Sequence, residues 1–298
     1  MSRSEPCSTI GVHGYRGLKL WYSFSMQFTE RNTEDYYDNF SGVYENVWNE
    51  QIHTGYFDKE KSLEQAVEDM DAFLAREIQL KDNSFVVVIG SGRGGTDRFL
   101  AKSHSCRVIG IDLSKTQISV AKKRAKAEGL NIEYLQASME SIPLLDKIAD
   151  YIWIQESFFH CHDKQKAVSE FTRLLKPNGV VIMEDTLLFD INSRAEVLEK
   201  FGQRVSINEI LTSEEYVDLF KQVGLTLVKK IDLSSHLLKT YKAIIEHIKQ
   251  NREKIREVTP ARYRGQVDSN FGFPRSLKLV EEGKLGCAAL YFSSNFVR

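Results

Sequence analysis

The string Gly90-Ser91-Gly92-Arg93-Gly94-Gly95 follows a short apolar run and satisfies G-x-G-x-x-G. Glycines at that spacing let a cofactor lie against the backbone, because any side chain there would block it. A glycine turn also arises where a strand and a helix simply pack closely, so the string alone is weak. Asp112 sharpens it. This residue stands 22 positions after Gly90, at the end of the next apolar run. A carboxylate there can accept both ribose hydroxyls of an adenosine. The competing role is to cap the following helix, which Ser114 already fills. Together these residues point to an adenosine-containing cofactor without choosing among such cofactors.

A second constellation, Gln155-Glu156-Ser157-Phe158-Phe159-His160, follows the fourth apolar run. In doubly wound sheets ligands bind beyond the carboxyl ends of the strands, so Glu156 and His160 stand where proton transfer would occur. His160 serves equally well as a structural histidine orienting its loop. Upstream, an aromatic string contains Tyr36-Tyr37, Tyr44, Trp48 and His53-Thr54-Gly55-Tyr56. Tyr37 and His53 are further proton-relay candidates, and the residues do not choose among the four. No metal site is assigned: His160, Cys161, His162 and Asp163 share one loop without the spaced pairs that zinc uses.

These residues require a scaffold, and the pattern supplies one. Phe85–Ile89, Arg107–Ile111, Ile132–Leu135, Tyr151–Ile154, Val180–Met183, Leu225–Ile231 and Cys287–Phe292 read as strands, most of them apolar enough to be buried on both faces. Helices intervene. Ser62 with Gln65, Ser114 with Gln117, and Thr212 with Glu215 have capping-box spacing, while Pro177 and Gly224 mark ends. Alternating strands and helices predict parallel βαβ units, an α/β doubly wound sheet. Residues 1–31 read as an N-terminal extension, 32–61 as an aromatic lid segment and 62–232 as the cofactor-binding core. Residues 233–284, read as one long helix plus a shorter one, form a helical cap, and 285–298 hold the final strand.

Composition excludes some partners. The 298 residues hold 40 Lys+Arg against 41 Asp+Glu, so no global field favours nucleic acid. No apolar run approaches the roughly 20 residues of a membrane helix. The four cysteines, Cys7, Cys106, Cys161 and Cys287, form no C-x-x-C pair and read as reduced thiols of a cytoplasmic protein, a monomer or homodimer.

Taken in order, Ile109-Gly110-Ile111-Asp112-Leu113-Ser114, Ala149-Asp150-Tyr151-Ile152-Trp153 and Leu174-Leu175-Lys176-Pro177-Asn178-Gly179 resemble the class I methyltransferase pattern. The likeness spans about Ala66 to Asp185. It implies a mostly parallel seven-stranded sheet with an antiparallel last strand, and S-adenosylmethionine as cofactor. It also implies cofactor contacts from Gly90, Ser91, Gly92, Gly94, Asp112, Leu113, Gln117, Ser138, Met139 and Gln155. Two departures stand out: Val88 replaces a frequent acidic residue, and Ala137-Ser138-Met139 replaces a G-D-A step. The lid string and Glu282-Gly283-Lys284-Leu285-Gly286 resemble the sarcosine and dimethylglycine methyltransferases, with related lids in tocopherol, sterol and phosphoethanolamine enzymes. The expected acceptor is therefore a small amine or amino acid such as a glycine derivative, methylated on nitrogen. The alternatives are a C-methyltransferase of a prenyl, tocopherol-like or sterol-like acceptor, a nicotinamide oxidoreductase, and a non-catalytic binding module. A carboxylate-bearing acceptor needs a cation, for which Arg275 and Lys239 are the sequence candidates.

Overall fold

A computed structural model describes residues 28–48 and 51–294. Seven strands form one sheet: β1 (Phe85–Ile89), β2 (Arg107–Asp112), β3 (Glu133–Gln136), β4 (Ala149–Gln155), β5 (Leu175–Leu188), β6 (Thr226–Asp232) and β7 (Leu285–Ser293). The spatial order is β3-β2-β1-β4-β5-β7-β6. Strands β1 to β5 pair in parallel, while β7 runs antiparallel between β5 and β6. This is the predicted sheet, and the sequence reading located every strand.

Alternation along β1 divides the core. Val86 and Val88 face one layer with Trp153, Ile182 and Tyr291, and Val87 and Ile89 face the other with Ile152, Phe171 and Phe220. On the first face pack α1 (Glu30–Trp48), α2 (Leu63–Glu77), α3 (Gly95–Ser103) and, from the far end of the chain, Leu237, Ile244 and Ile248. On the second lies α5 (Lys164–Leu174), with α4 (Lys115–Ala127) seated near β3. Phe158, fully buried, meets the rings of Phe171, Tyr216 and Phe220. Truncating it to Ala would cost about 3–5 kcal/mol.

The capping signals were read correctly in two of three cases. Ser62/Gln65 and Thr212/Glu215 form complete boxes at α2 and at α6 (Ser213–Gln222). At α4 the Ser114 hydroxyl accepts from the Gln117 amide, but the Gln117 side chain does not reach back. It points into a pocket instead. In the lid segment Glu30–Trp48 is helix and residues 51–62 run without regular structure. Two segments depart from expectation. Residues 233–284 make more pieces than a long and a short helix: α7 (Ser234–Gln250), α8 (Arg252–Val258), several short turns and α9 (Phe273–Glu281). Asn251 and the Thr259-Pro260 step break the helical run, since Pro lacks the amide that would continue it. Finally, helical turns between Ile191 and Val205 insert after β5, where no element was expected.

Candidate active site

One pocket of about 1110 Å³, open mouth included, lies beyond the carboxyl ends of β1, β2 and β4. Its floor is the turn after β1. Gly90 and Gly92 have φ of +69° and +53°, values that favour glycine. A Cβ on Gly90 would overlap the Ser157 hydroxyl, whereas one on Gly92 meets only the Gly90 carbonyl, at 4.0 Å. Asp112 takes the Gly92 amide at 2.7 Å and the Ser114 amide at 2.8 Å, which fixes its carboxylate against the turn. Burial pushes its pKa up to about 6 against these two bonds. Leu113, Gln117, Ser138 and Met139 form the wall beyond it, and Gln155 the opposite side.

Not every predicted contact faces the pocket with its side chain. The Ser91 hydroxyl turns back to Asp97, 2.9 Å from both carboxylate oxygens, and its amide bonds the Ile111 carbonyl. Burial lifts Asp97 to about 7. Gly94 caps α3 at φ +74°, and a Cβ there would sit 2.5 Å from the Tyr134 hydroxyl, so this glycine serves helix packing and stays off the pocket wall. Helix α1 covers the rim: Glu30 accepts from the Ser138 hydroxyl, Glu34 from the Gln136 amide and Asp38 from the Ser114 hydroxyl. These acids recur every fourth residue and so share one helix face.

An adenosine-bearing cofactor fits these residues. Both amide ends of Gln117 and the Gln155 Nε2 are buried without a hydrogen-bond partner. Buried polar atoms in that state call for a ligand to satisfy them. Gln155 Oε1 is already held by Trp153 Nε1 at 2.5 Å and Thr96 Oγ1 at 3.0 Å, which aims the free amine of the amide.

A smaller cavity of about 420 Å³ adjoins the first and shares Tyr37, Ile52, His53 and Glu156 with it. Tyr37, His53 and Glu156 thus line both cavities, and His160 lines the larger one beside them. The Tyr37 hydroxyl lies 2.9 Å from His160 Nε2. His160 is buried, and burial together with the nearby Lys164 charge depresses its pKa to about 3, so the ring is neutral and a poor proton acceptor. His53 donates from Nδ1 to the Thr54 carbonyl at 3.1 Å, and its Nε2 makes no hydrogen bond but lies 3.8 Å from the buried Asp71 carboxylate. Glu156 follows β4 at φ +45° and accepts from the hydroxyls of Thr54 at 3.1 Å and Thr186 at 2.9 Å. Burial outweighs those bonds and raises it to about 7.

Comparison with known proteins agrees with this geometry. Residues 87–183 match the methyltransferase domain family. The glycine/sarcosine/dimethylglycine N-methyltransferase of Actinopolyspora halophila is 28% identical over 240 residues, covering 79% of this chain but 42% of that protein. The chain thus spans less than half the length of that relative. The sarcosine/dimethylglycine N-methyltransferase of Halorhodospira halochloris is 26% identical over 237 residues, covering 78% and 83%. The chain thus carries a methyltransferase domain over residues 87–183 and is similar to these N-methyltransferases at 26–28% identity. A solved structure of a candidate sarcosine dimethylglycine methyltransferase from Galdieria sulphuraria has the same fold, with a TM-score of 0.79 at 24% identity over 87% of this chain and 98% of that one. No helix of the described residues is long and apolar enough to cross a membrane.

The structure adds a residue that sequence reasoning missed. Arg204 enters the smaller cavity from the helical insert after β5. Its guanidinium lies 4.4 Å from the Phe273 ring centroid and 5.1 Å from that of Phe201, and Nε donates to Ser276 Oγ at 3.1 Å. It forms no ion pair among the described residues. The two cations proposed from sequence lie elsewhere: Arg275 is exposed, and Lys239 donates to the Phe57 carbonyl at 3.1 Å. Only the insert's fold, which carries no motif, distinguishes Arg204 from the other arginines. Of the lid aromatics, the Tyr36, Tyr44 and Trp48 side chains lie outside the described residues, and Tyr56 stacks on Phe73 and His236 instead of entering the cavity.

Proposed function

We propose that the protein transfers the methyl group of S-adenosylmethionine to the nitrogen of a small, carboxylate-bearing amine, a glycine derivative being the expected class. The observation that carries this reading is the smaller cavity. It holds one carboxylate, Glu156, and one guanidinium without an ion-pair partner, Arg204, between the aromatic walls of Tyr37, Phe159, Phe201 and Tyr241. That charge pair suits a zwitterion, with the ammonium toward Glu156 and the carboxylate toward Arg204. The names of the two curated relatives point the same way. A prenyl or sterol acceptor, the alternative, would leave both charges buried against hydrocarbon, which is costly.

S-adenosylmethionine, when bound, supplies a methyl group already activated on a positively charged sulfur. The chain's residues do the rest. Gly90 and Gly92 would let the backbone approach the cofactor, and Asp112 would accept its ribose hydroxyls. Leu113, Ser138 and Met139 would hold its adenine. The free amides of Gln117 and Gln155 complete the cradle, and the Ser91 and Gly94 backbone shapes the turn. Glu156 takes the ammonium proton, because its raised pKa lets it accept a proton near neutrality. His160 stays neutral and orients the Tyr37 hydroxyl, and His53 Nε2 offers a second acceptor. Catalysis then rests largely on orientation and exclusion of water. We further propose that 32–61 acts as the lid, 62–232 as the core and 233–284 as the cap. The enzyme is proposed to act in the cytoplasm as a monomer or homodimer without nucleic-acid partners, in keeping with its balanced charge and the free thiols Cys106, Cys161 and Cys287.

The test is a panel assay of S-adenosylhomocysteine release. Glycine, sarcosine, dimethylglycine and ethanolamine derivatives form one arm, prenyl diphosphates and a tocopherol precursor the other. Turnover is expected in the first arm, and turnover confined to the second would reject the amine reading.

A further inference from the structure

Behind Glu156 lies a second carboxyl group that the reaction as described does not use. Glu184, on β5, is fully buried, and its carboxylate lies within 4.8 Å of that of Glu156 and of the Cys287 sulfur. Neither carboxylate has a Lys, Arg or His nitrogen at salt-bridge distance among the described residues. Two ionised carboxylates cannot share such a space, so the pair must hold a proton. The surroundings decide where. Glu156 accepts from two threonine hydroxyls, three contacts of 2.9–3.1 Å in all, which favour its charged form. Glu184 receives the Cys287 thiol at 2.8 Å on Oε1, the Thr54 hydroxyl favours its charged form more weakly than burial opposes it, and its Oε2 has no hydrogen-bond partner. The thiol is itself held well above its ordinary pKa by burial, so it stays protonated and is a hydrogen-bond donor rather than a metal ligand.

We propose that Glu184 is a carboxylic acid kept neutral at working pH, and that its neutrality keeps Glu156 ionised and facing the acceptor as the proton acceptor of the reaction. Glu184 is thus a positioning residue, and this role rests on the amine reading given above. In the reacting complex the ammonium proton moves to the Glu156 carboxylate. The freed nitrogen lone pair forms the new N–C bond, while the C–S electron pair remains on sulfur. A charged Glu184 would instead push Glu156 toward its protonated, inactive form. The other groups facing the pair are Arg204 from the insert, Tyr241 from α7, His53 from the lid segment, and Asp185, whose carboxylate accepts the Tyr216 hydroxyl at 2.9 Å. Arg204 favours an ionised Glu156, and Asp185 opposes ionisation of either member of the pair.

The experiment is difference infrared spectroscopy of the ligand-free protein at neutral pH, joined to pH profiles of kcat. The spectrum of wild type minus Glu184→Gln should contain a protonated-carboxyl C=O stretch, and Glu156→Gln should keep that band. Glu184→Gln, a neutral isostere, should retain most activity and the acidic limb of the profile, while Glu156→Gln loses turnover at least 100-fold. Absence of the band overturns the proposal. So does a folded, cofactor-binding Glu184→Gln protein without activity, and so does stoichiometric Zn²⁺ binding that Glu184→Gln abolishes. Glu184→Asp serves as a second acid should Gln prevent folding: it keeps a shifted band if the proposal holds and shows none if it fails. The infrared result stands whichever acceptor is methylated, so failure of the amine panel and failure of the neutral acid are distinguishable.

Discussion

The two adjoining pockets are built by opposite means. The cofactor side is assembled around one strand-turn-helix unit and the ends of two neighbouring strands, and its key contacts are short-range or backbone-made: Gly92 to Asp112, Ser114 to Asp112, Gln117 to Ser114. The acceptor side gathers Tyr37, His53, Glu156, Arg204 and Tyr241 from five separate segments, none of which positions its residue alone. A site made by local backbone geometry tolerates divergence elsewhere in the chain. A site made by convergence can change its ligand through one insert while the cofactor half stays intact. Substitutions on the two sides should therefore act on different ligands.

The largest effect should come from Gly92→Val. Its Cβ has free space only toward the pocket and its φ of +53° disfavours a branched side chain, so cofactor binding should fall below detection by calorimetry while circular dichroism retains the α/β signature. Retained binding would show that the turn is merely structural. Next comes Asp112→Ala, expected to weaken S-adenosylmethionine by about 1.5–3 kcal/mol, the range for hydrogen bonds to a charged group. Its effect on acceptor KM at saturating cofactor should be small, and an equal loss on both would blur the division between the pockets.

Arg204→Lys should do the reverse. Keeping the charge but losing the planar fork, it should raise KM for a carboxylate-bearing amine about tenfold, or ~1.4 kcal/mol, with an unchanged cofactor Kd. An unaltered KM would remove Arg204 from acceptor recognition.

The smallest effect separates the cofactor turn from its support. Asp97 has its pKa raised to about 7 in the folded chain from 3.8. The folded state therefore holds the proton more tightly. Its contribution to stability is fully present below pH 3.8 and is lost as pH rises toward 7. Asp97→Asn should flatten that part of the Tm–pH curve by a few degrees between pH 4 and 7. A wild-type slope in the variant would mean that Asp97 does not titrate there.

Much of the fold was legible because strand burial and helix capping are written in nearest neighbours. Val86 to Ile89 can only be a strand buried on both faces, and Ser62-x-x-Gln65 only a helix start. The glycine turn and Asp112 were legible for the same reason. Gln117 was misread as a cap because its spacing to Ser114 suits both a reciprocal cap and a pocket wall, and only the neighbouring loop decides between them. Gly94 lies off the pocket wall, and the motif does not record that Tyr134 fills the space behind it.

By itself, then, the sequence determined the alternating sheet, its strand positions, the cofactor turn and the residues beyond β4 that could move a proton, since each depends on propensities and spacings within about twenty residues. Only the tertiary structure decided which of those residues could act. It left His160 neutral by burying it beside Lys164 and raised Glu156 by burying it. It chose Arg204 over Arg275 and Lys239 by folding an unpatterned insert onto Phe273. Charge state and proximity are properties of the surrounding dielectric and of contacts between distant segments, and neither is encoded in any local run of residues.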